Sequence, residues 1–468
     1  MITKPKGCKD IYGVDAKTWK YVEQVIDSVM EKYNYGYIRT PIFESSELYH
    51  RGVGETSDIV TKETYDFTDR GERKMTLRPE GTAGVVRSYI ENKMYGDMNP
   101  VKLYYNGTMY RYERPQAGRE RELTQFGAEA IGSDDPMMDA EIISLAYNIY
   151  KLLGLKDITV HINSLGDTES RNNYRDALVR YFSPYINDFC DDCKMRIAKN
   201  PLRILDCKVD SENEVFKKAP TTIDYLNEES KNRFEKVKEY LDLLQIPYVV
   251  DPKIVRGLDY YNHTVFEFVI DVKELGGQNV IGAGGRYNGL CEQLGGPSTP
   301  GIGFASGLDR ILVAMKYQDV KVNVKEQIDL FLMYVNDEEK NYALYLAQEL
   351  RLNGFNVDTE YTSRSLKAQF KQADRLKSKF TAVLNSDDLD NNEIKIKNNE
   401  TKEEEIISID ALVFYLDEKL TTDEDLYNYD FTSDDDECHC HDDECSCDHD
   451  DCCCDECSCD DCNCDYED

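Results

Sequence analysis

The chain has 468 residues, of which 41% are hydrophobic and 31% charged, and its net charge is −34. This length allows two or three domains with cores of their own, and the composition is typical of soluble globular proteins. The segment after Leu420 contains 21 Asp and Glu and no Lys or Arg, which leaves −13 on residues 1–420. The extreme acidity is therefore a property of the tail.

Targeting signals, membrane spans and a disulfide framework are not expected. The opening residues, MITKPKGCKDIYG, lack the apolar run of a signal peptide. The longest apolar candidate, GIGFASGLDRILVAM, is interrupted by Asp309 and Arg310 and is too short to span a bilayer. Only five of the 16 cysteines lie outside the tail, which is too few for a disulfide scaffold. The sequence predicts a cytoplasmic protein without membrane contact.

The first part of the chain predicts an α+β fold, an antiparallel sheet flanked by helices. Helical spacing covers residues 14–35, and a short strand that follows is interrupted by Pro41. Alternation over residues 101–132 predicts a hairpin. A helix over residues 139–154 and a strand over residues 158–166 follow, and then a helical insertion over about residues 170–250. Two strands over residues 255–270 and 280–290 and a strand-to-helix segment over residues 301–316 complete this part.

Two further regions follow the predicted core of residues 1–325. Alternating strands and helices over residues 326–420 predict a small α/β domain of parallel strands. Residues 421–468 are of low complexity and are expected to be disordered without a ligand.

The tail also contains a dense set of potential metal ligands in repeated C-x-C spacing, which suits soft and borderline cations such as Zn²⁺. The alternative is an acidic extension that never binds metal. The candidate ligands are Cys438, His439, Cys440, Cys445, Cys447, Cys452, Cys454, Cys457, Cys459, Cys462 and Cys464.

Two motifs in the first part present charged groups on a common surface. In TLRPEGTAGVVRSY, Glu80 and Thr82 suit an ammonium group, and the alternative is a helix N-cap in which Thr82 caps and Glu80 flanks it. In MYRYERPQAGRERELTQFGAEAIG, same-face spacing joins Arg111 with Glu113 and Gln125 with Glu129. Such a surface suits a polyphosphate beside a polar small molecule, whereas a salt-bridged solvent face is the alternative.

Three later motifs add glycines, phenols and guanidinium groups. VRGLDYYNHTVFEF places Arg256 and two tyrosines on a predicted strand. AGGRYNGL offers Tyr287 and two glycines that permit close approach of a ligand or a neighbouring strand. GLDRILVAM places Arg310 at a helix start, which favours anions, although a capped core helix with one exposed Arg is the alternative.

These five motifs, in this order, resemble those of the histidine–tRNA ligase family of class II aminoacyl-tRNA synthetases, over about residues 1–420. The resemblance implies ATP-dependent attachment of histidine to tRNA(His) through a histidyl-adenylate, with ATP and Mg²⁺ as cofactors. It also implies a homodimer that associates around Pro41. The residues implied to bind histidine are Glu80, Gly81, Thr82, Gln125, Glu129, Arg256, Tyr260, Tyr261 and Tyr287.

Individual roles follow from the same resemblance. Glu80, Thr82 and Gln125 are implied to hold the α-amino group. Glu129, Tyr261 and Tyr287 are implied to read the imidazole nitrogens. Among the implied ATP ligands, Arg111 contacts the α-phosphate and Glu113 the adenine edge, and Arg310 with Arg119 or Arg121 holds the outer phosphates. Arg256 is implied to stand beside the α-phosphate, so Arg256 and Arg111 are the expected catalytic residues.

The resemblance also predicts a tRNA surface. Lys367, Lys371 and Arg375 recur every four residues on a predicted helix, opposite an apolar face of Leu366, Phe370, Ala373 and Phe380. A solvated helix face is the alternative. Arg114 and Gln116 are implied to approach the tRNA acceptor end.

Some positions depart from the family pattern. Leu123 stands where an aromatic residue is common, so adenine stacking is expected to be weaker. The insertion contains Cys190, Cys193 and Cys207, which is one ligand short of a structural zinc site and favours free buried thiols. Two rival functions are a regulatory subunit of ATP phosphoribosyltransferase and a metal-storage protein, and the complete set of arginines argues against both.

Overall fold

The computed structural model describes residues 1–53, 59–96, 99–116, 118–205, 207, 209–210, 213–254, 258, 260–272, 279–322 and 327–420. Arg256 and the whole tail, including its predicted disorder and its candidate metal ligands, lie outside these residues. The chain divides into two compact units, Met1–Val324 and Lys325–Asp468.

Two sheets form in the first unit, and together they contain eleven of the described strands. In chain order these are β1 (Gly36–Tyr37), β2 (Phe43–Ser45), β3 (Tyr65–Thr68), β4 (Lys74–Leu77), β5 (Val101–Tyr110), β6 (Glu122–Ile131), β7 (Ile158–Ser164), β8 (Tyr248–Val250), β9 (Asn262–Ile270), β10 (Val280–Arg286) and β11 (Gly301–Gly307). The main sheet has the order β1-β5-β6-β11-β10-β9-β7-β8, and β2-β4-β3 form a small separate sheet.

The main sheet is antiparallel at its centre, as the sequence predicts, but mixed as a whole. The six strands from β5 to β7 pair antiparallel. The edge strand β1 is parallel to β5, and β8 is parallel to β7. Each edge pair is joined by a long crossover, which parallel pairing requires and a hairpin does not. The predicted fold, an antiparallel sheet flanked by helices, is therefore confirmed, with a parallel strand added at each edge.

The described part of the first unit also contains ten α-helices. They are α1 (Gly13–Lys32), α2 (Ser46–Val53), α3 (Thr82–Glu91), α4 (Pro136–Leu152), α5 (Thr168–Phe182), α6 (Asp191–Lys199), α7 (Glu214–Lys217), α8 (Glu228–Leu243), α9 (Leu290–Gln293) and α10 (Leu308–Tyr317). Helix α4 begins where its sequence directs, because Asp135 accepts from the N–H of Met137 and Pro136 occupies the first turn. Apolar side chains of α1, α4, α8 and α10 form one core with the sheet.

The helical insertion divides into two parts. Helix α8 contributes Phe234, Val237 and Leu241 to the main core, and β8 extends the main sheet. The segment from α5 to α7 has a small core of its own, which is built around Phe182 and Phe189 and includes two cysteines.

The second unit is a five-stranded sheet with helices. Its elements are β12 (Leu330–Tyr334), α11 (Asp337–Leu352), β13 (Val357–Thr359), α12 (Leu366–Arg375), β14 (Phe380–Leu384), α13 (Ser386–Asp390), β15 (Glu393–Asn398), β16 (Glu404–Ser408) and α14 (Leu412–Leu420). The order is β13-β12-β14-β15-β16. The first three strands are parallel as predicted, whereas β15 and β16 are antiparallel because a short turn joins them.

The apolar face predicted for α12 is wrong at two positions. Phe370 is 41% exposed, whereas Gln369 is 1% exposed and takes the inward position. The Gln369 side chain bonds both the N–H and the C=O of Tyr334, at 3.1 and 3.0 Å, so its burial leaves no amide unsatisfied. The helix ends at Arg375, and Phe380 begins β14 instead of extending the helical face.

None of the helices within the described part of the chain is long and apolar enough to traverse a lipid bilayer.

Candidate active site

A cavity of about 310 Å³ opens where β5, β6, β9, β10 and β11 meet the starts of α3 and α10. Most of the predicted histidine and ATP ligands line it, and they come from four of the five motifs. They are Glu80, Thr82, Arg111, Glu113, Arg119, Gln125, Tyr260, Tyr261 and Arg310. The structure thus brings together groups that the sequence could associate only by motif order.

Two pairs of predicted site residues lie in irregular backbone and not in strands. They are Arg111 with Glu113, and Tyr260 with Tyr261. Strand β5 ends at Tyr110, and the Glu113 N–H donates to the Arg111 carbonyl at 2.7 Å, so a tight turn breaks the ladder. Strand β9 begins only at Asn262. The consecutive residues Tyr260 and Tyr261 are both buried, which a strand with alternating faces does not permit. Both strand predictions are corrected here.

The start of α3 forms one end of the cavity. Glu80 is buried and accepts from the backbone N–H groups of Thr82 and Ala83, at 2.7 and 2.9 Å. Burial raises the pKa of Glu80, although these bonds partly offset it. The capping alternative is therefore correct, with the capping group on Glu80 instead of Thr82. The carboxylate retains lone pairs toward the cavity, so capping and ligand binding are compatible.

Gln125 faces the same end from the middle of β6. Its side chain is buried, and within the described part of the chain its Oε1 atom has no hydrogen-bond partner. Because buried polar atoms are usually paired, this oxygen is positioned for a donor group that enters the cavity.

Glu129 lies behind the cavity lining, joined to it through Thr82. The Thr82 hydroxyl donates to Oε1 and the Tyr287 phenol donates to Oε2, both at 2.7 Å. The side chain is 1% exposed. Burial raises the pKa of Glu129 to about 8, against the lowering effect of these two bonds. A buried carboxyl of this kind favours a cationic or N–H-bearing ligand.

Space for Glu129 is created by a glycine that the sequence reasoning missed. A Cβ atom at Gly303 would lie 1.8 Å from Glu129 Oε2. Similarly, a Cβ atom at Gly81 would lie 2.3 Å from the Tyr105 ring, so Gly81 shapes the site without lining it. The alternating glycines of GIGFASG in a central strand are the signal that could have found Gly303. At Gly284 the close neighbour is the Gly303 carbonyl, so this glycine serves strand packing.

Beyond Glu80 the cavity is cationic, beginning with Arg111, which lies beside Pro79 and Glu80. Arg111 donates from Nε to the Pro79 carbonyl at 2.8 Å, and Arg310 donates from Nη1 to the Val280 carbonyl at 2.6 Å. Arg119 forms an ion pair with Glu113. Burial lowers the pKa of Arg310, and the nearby charges of Arg119 and Arg111 lower it further. Mutual repulsion of three guanidinium groups is relieved by an anionic ligand.

Some predicted residues point elsewhere. Arg121 does not line the cavity, and its guanidinium lies 3.9 Å from the ring centre of Tyr112. Arg114 and Gln116 are exposed on the hairpin loop, where Gln116 and Arg119 exchange backbone hydrogen bonds of 2.9 Å.

Residues that were not predicted complete the wall. Glu120, Glu267 and Asp309 line the cavity, and Leu123 does so at the position where an aromatic side chain was expected. Lys9 forms ion pairs with Glu120 at 3.2 Å and with Asp309 at 3.7 Å. Lys9 stands far from every motif, and the sequence contains no signal for it.

In the second unit, considered by itself, α12 presents the predicted basic residues. Lys367, Lys371 and Arg375 are exposed, and Phe370 is exposed among them. The misassigned phenylalanine therefore adds an aromatic ring to the cationic surface.

Comparisons with known proteins agree with this geometry. Residues 7–311 match the family model described as histidyl-tRNA synthetase, and residues 329–419 match the one described as anticodon binding domain. A histidine–tRNA ligase of Staphylococcus aureus (strain JH9) is 52% identical over 417 residues, or 89% of this chain and 99% of that protein.

Solved structures give the same assignment. The crystal structure of apo S. aureus histidyl-tRNA synthetase has a TM-score of 0.78 at 47% identity, over 89% of this chain and 100% of that chain. A structure from Bacillus halodurans, described as an ATP phosphoribosyltransferase regulatory subunit/histidyl-tRNA synthetase, has a TM-score of 0.58 at 21% identity, over 80% of this chain and 96% of that one. The second likeness shows the fold alone. The chain therefore belongs to the histidyl-tRNA synthetase family of class II aminoacyl-tRNA synthetases, the histidine–tRNA ligases.

Proposed function

We propose that the cavity activates L-histidine as histidyl-adenylate and transfers it to the 3′ end of tRNA(His). One observation supports this most strongly: Arg111, Arg119 and Arg310 line the same 310 Å³ cavity as Glu80, Gln125 and two buried tyrosines. A polyphosphate and an amino acid can therefore lie side by side, which is the requirement for joining them.

Histidine is proposed to bind at the α3 end. Glu80, Thr82 and the unpaired Oε1 of Gln125 would hold the ammonium group, with Gly81 and Tyr260 shaping the pocket. Glu129 and Tyr287, which are already hydrogen-bonded to each other, would accept and orient the imidazole together with Tyr261. Recognition of both ring nitrogens rejects apolar analogues by roughly 10⁴-fold, so no editing site is required.

ATP is proposed to bind at the cationic end. Arg111 would contact the α-phosphate, Arg119 and Arg310 the outer phosphates, and Glu113 the adenine edge. Arg121, whose guanidinium stacks on Tyr112, would act on the outer phosphates only after leaving that ring. Leu123 offers an apolar contact and no aromatic stacking partner for the base.

The reaction requires no nucleophilic side chain. The substrate carboxylate attacks the α-phosphorus, the bond to the bridging oxygen breaks, and pyrophosphate leaves with the electron pair. Negative charge grows at phosphorus during this step, so that positioned guanidinium groups lower the barrier. Arg256 is proposed to stand beside that phosphate.

Mg²⁺ fits the carboxylates of this cavity. Mg²⁺ binds one or two carboxylates together with substrate phosphates, and Glu120 and Glu267 line the cavity beside the arginines. These residues would hold the ion that accompanies ATP. When bound, it would neutralise charge on the departing pyrophosphate.

Histidine-dependent pyrophosphate–ATP exchange tests this function. Wild-type protein should exchange with histidine and not with other amino acids. Arg256→Ala should cost about 3 kcal/mol of transition-state stabilisation, or roughly a hundredfold in rate. Lys253→Ala, at an exposed position nearby, serves as the control and should exchange normally. An undiminished rate in Arg256→Ala would overturn the proposed role.

The second unit is proposed to bind tRNA through α12, and Arg114 and Gln116 to approach its acceptor end. The triple variant Lys367→Glu, Lys371→Glu and Arg375→Glu should raise the KM for tRNA(His) by roughly tenfold or more, because three phosphate contacts become repulsive. Exchange without tRNA should be unchanged. The same charge reversal at the exposed residues Lys17, Lys20 and Lys32 of α1 is the matched control. Equal KM values in the two triple variants would contradict the assignment.

A homodimer is proposed through the segment around Pro41. Phe43 is 54% and Phe67 42% exposed, and their ring centres lie 6.2 Å apart on the small sheet. Such an exposed aromatic pair is typical of an interface. Light scattering should give the mass of a dimer for the wild type and a monomer for Phe43→Lys with Phe67→Lys. Leu243→Lys, at the exposed end of α8, should remain dimeric. A wild-type monomer would refute the proposal.

The tail is proposed to bind Zn²⁺ or another soft metal, because its thiols and carboxylates are dense and repeated. Equilibrium dialysis of residues 430–468 against Zn²⁺ tests this, and a peptide that binds no more tightly than micromolar would end the proposal.

We propose that the enzyme acts in the cytoplasm, where translation uses charged tRNA.

A further inference from the structure

Three thiols and a carboxylate meet in the insertion, and none of the four residues lines the cavity described above. They belong to Cys190, Cys193, Cys207 and Asp210, and their potential ligand atoms all lie within 4.8 Å of one another. The sequence alone predicted three ligands here, because nothing marks Asp210 among the many acids of this chain. The structure supplies the fourth.

The local backbone places the ligands in two short turns of the same spacing. Cys190 is the N-cap residue of α6, and Cys193 is the third residue of that helix. Asp210 follows Cys207 by three residues, and its N–H donates to Cys207 Sγ at 3.4 Å. The motif is therefore C-x2-C paired with C-x2-D, and paired turns of this kind are typical of structural zinc sites.

The distances within the cluster agree with a tetrahedral ion. Zn–S bonds of about 2.3 Å and Zn–O bonds of about 2.1 Å place two sulfurs about 3.8 Å apart and a sulfur and an oxygen about 3.6 Å apart. The Cys190 and Cys207 sulfurs are 3.7 Å apart. Cys207 Sγ and Asp210 Oδ2 are 3.5 Å apart. A disulfide would need a sulfur separation of about 2.05 Å, so the pair has the spacing of co-ligands.

The surroundings also favour a bound cation. Cys193 and Cys207 are buried in the separate small core of the insertion, against Phe182, Phe189 and Phe216. A core of this size gives limited stability, and small modules commonly gain it from a metal. Burial raises the pKa of the Cys190 and Cys193 thiols, so the cluster would lose its thiol protons only when a dication binds between the sulfurs.

We propose that Cys190, Cys193, Cys207 and Asp210 form a structural Zn²⁺ site that stabilises the segment from α5 to α7. The donor set suits Zn²⁺ and not Mg²⁺ or Ca²⁺, which take oxygen ligands. The site is independent of the tail and of the proposed catalytic residues.

The test must separate this site from the tail thiols. The full-length chain is therefore prepared with all eleven tail cysteines replaced by serine, so that the cluster is its main remaining thiol group. This tail-serine variant should bind one Zn²⁺ per chain. With Co²⁺ as the probe, it should show the sulfur-to-cobalt charge-transfer band and the intense visible bands of a tetrahedral site. Cys193→Ser should lose both signals, whereas Cys291→Ser, at another buried cysteine, should keep them.

Two further variants keep the test decisive if Cys193→Ser misfolds. Asp210→Asn should weaken Zn²⁺ binding at least tenfold. Asp210→Cys should retain one Zn²⁺ and strengthen the charge-transfer band, because a fourth thiolate joins the ion. Zn²⁺ should also protect residues 183–217 from proteolysis, while pyrophosphate–ATP exchange reports that the catalytic unit is folded.

Substoichiometric Zn²⁺ in the tail-serine variant would overturn the proposal. So would binding that persists in both Cys193→Ser and Asp210→Asn, or a Cys190–Cys207 disulfide found in place of the metal.

Discussion

Gly303→Ala should strongly impair histidine-dependent exchange, although Gly303 does not line the cavity. The new Cβ atom would lie 1.8 Å from Glu129 Oε2 and 2.6 Å from the Ala128 carbonyl. Backbone in the middle of β11 cannot move away, so the Glu129 carboxylate must leave its bonds to Thr82 and Tyr287. We expect a loss of at least a hundredfold in kcat/KM for histidine, because the imidazole partner is displaced.

The matched control is Gly289→Ala. A Cβ atom at Gly289 meets nothing within 4 Å, so this variant should exchange at the wild-type rate. Circular dichroism and the Tm should show that both variants are folded. Normal kcat/KM in folded Gly303→Ala would contradict the proposed position of Glu129 in the reaction.

Glu129→Gln should lower kcat/KM for histidine and raise the Tm of the free protein at high pH. With histidine bound, Glu129 and the imidazole would form a buried, hydrogen-bonded charge pair. Removing one partner of such a pair costs about 2–5 kcal/mol, which corresponds to a loss of roughly 30-fold to several thousand-fold in kcat/KM for histidine. The loss should appear mainly in the exchange reaction at limiting histidine. Unchanged kcat/KM would show that Glu129 does not read the imidazole.

The stability of the free protein should respond in the opposite sense. Burial raises the pKa of Glu129 to about 8, from 4.5 for an ordinary Glu. A carboxyl with a raised folded-state pKa contributes stability that is present at low pH and is lost as the pH rises through about 8. Gln does not ionise, so Glu129→Gln should have the higher Tm at pH 9.

This difference in Tm should shrink at pH 6, where the wild-type carboxyl is protonated. Glu31→Gln, at an exposed position on α1, should shift the Tm equally at both pH values. A pH-independent difference between the wild type and Glu129→Gln would show that the buried carboxyl is not the titrating group.

Local patterns predicted the scaffold of the site well. Alternation alone located the β5–β6 hairpin, and it placed Gln125 and Glu129 correctly on the returning strand. It failed where the backbone leaves regular structure. Arg111 lies past the end of β5, and Tyr260 precedes β9, because a turn there lets adjacent side chains point inward together.

Contacts between residues that are distant in sequence could not be predicted from the periodicity of the sequence. Gln369 displaces Phe370 from the core because its amide finds two backbone partners on a strand 35 residues away in sequence. Lys9 meets the cavity wall only through folding. Asp210 becomes a candidate ligand only when its turn is placed beside that of Cys190. Each of these three contacts joins residues that are far apart in sequence, and no periodic pattern in the sequence relates such residues to each other.

The parallel pairing of β8 with β7 has a consequence for how this enzyme can be divided. Strand β7 precedes the insertion, and β8 and α8 end it. Because β8 pairs with β7 and α8 packs into the main core, the chain on both sides of the segment between α5 and α8 is held in the first unit. Cleavage of the backbone within that segment leaves two fragments that remain joined by the pairing of β7 with β8. Separately produced halves that meet there should reassemble into a working synthetase, so the gene can be split at this point to make its activity conditional on fragment encounter.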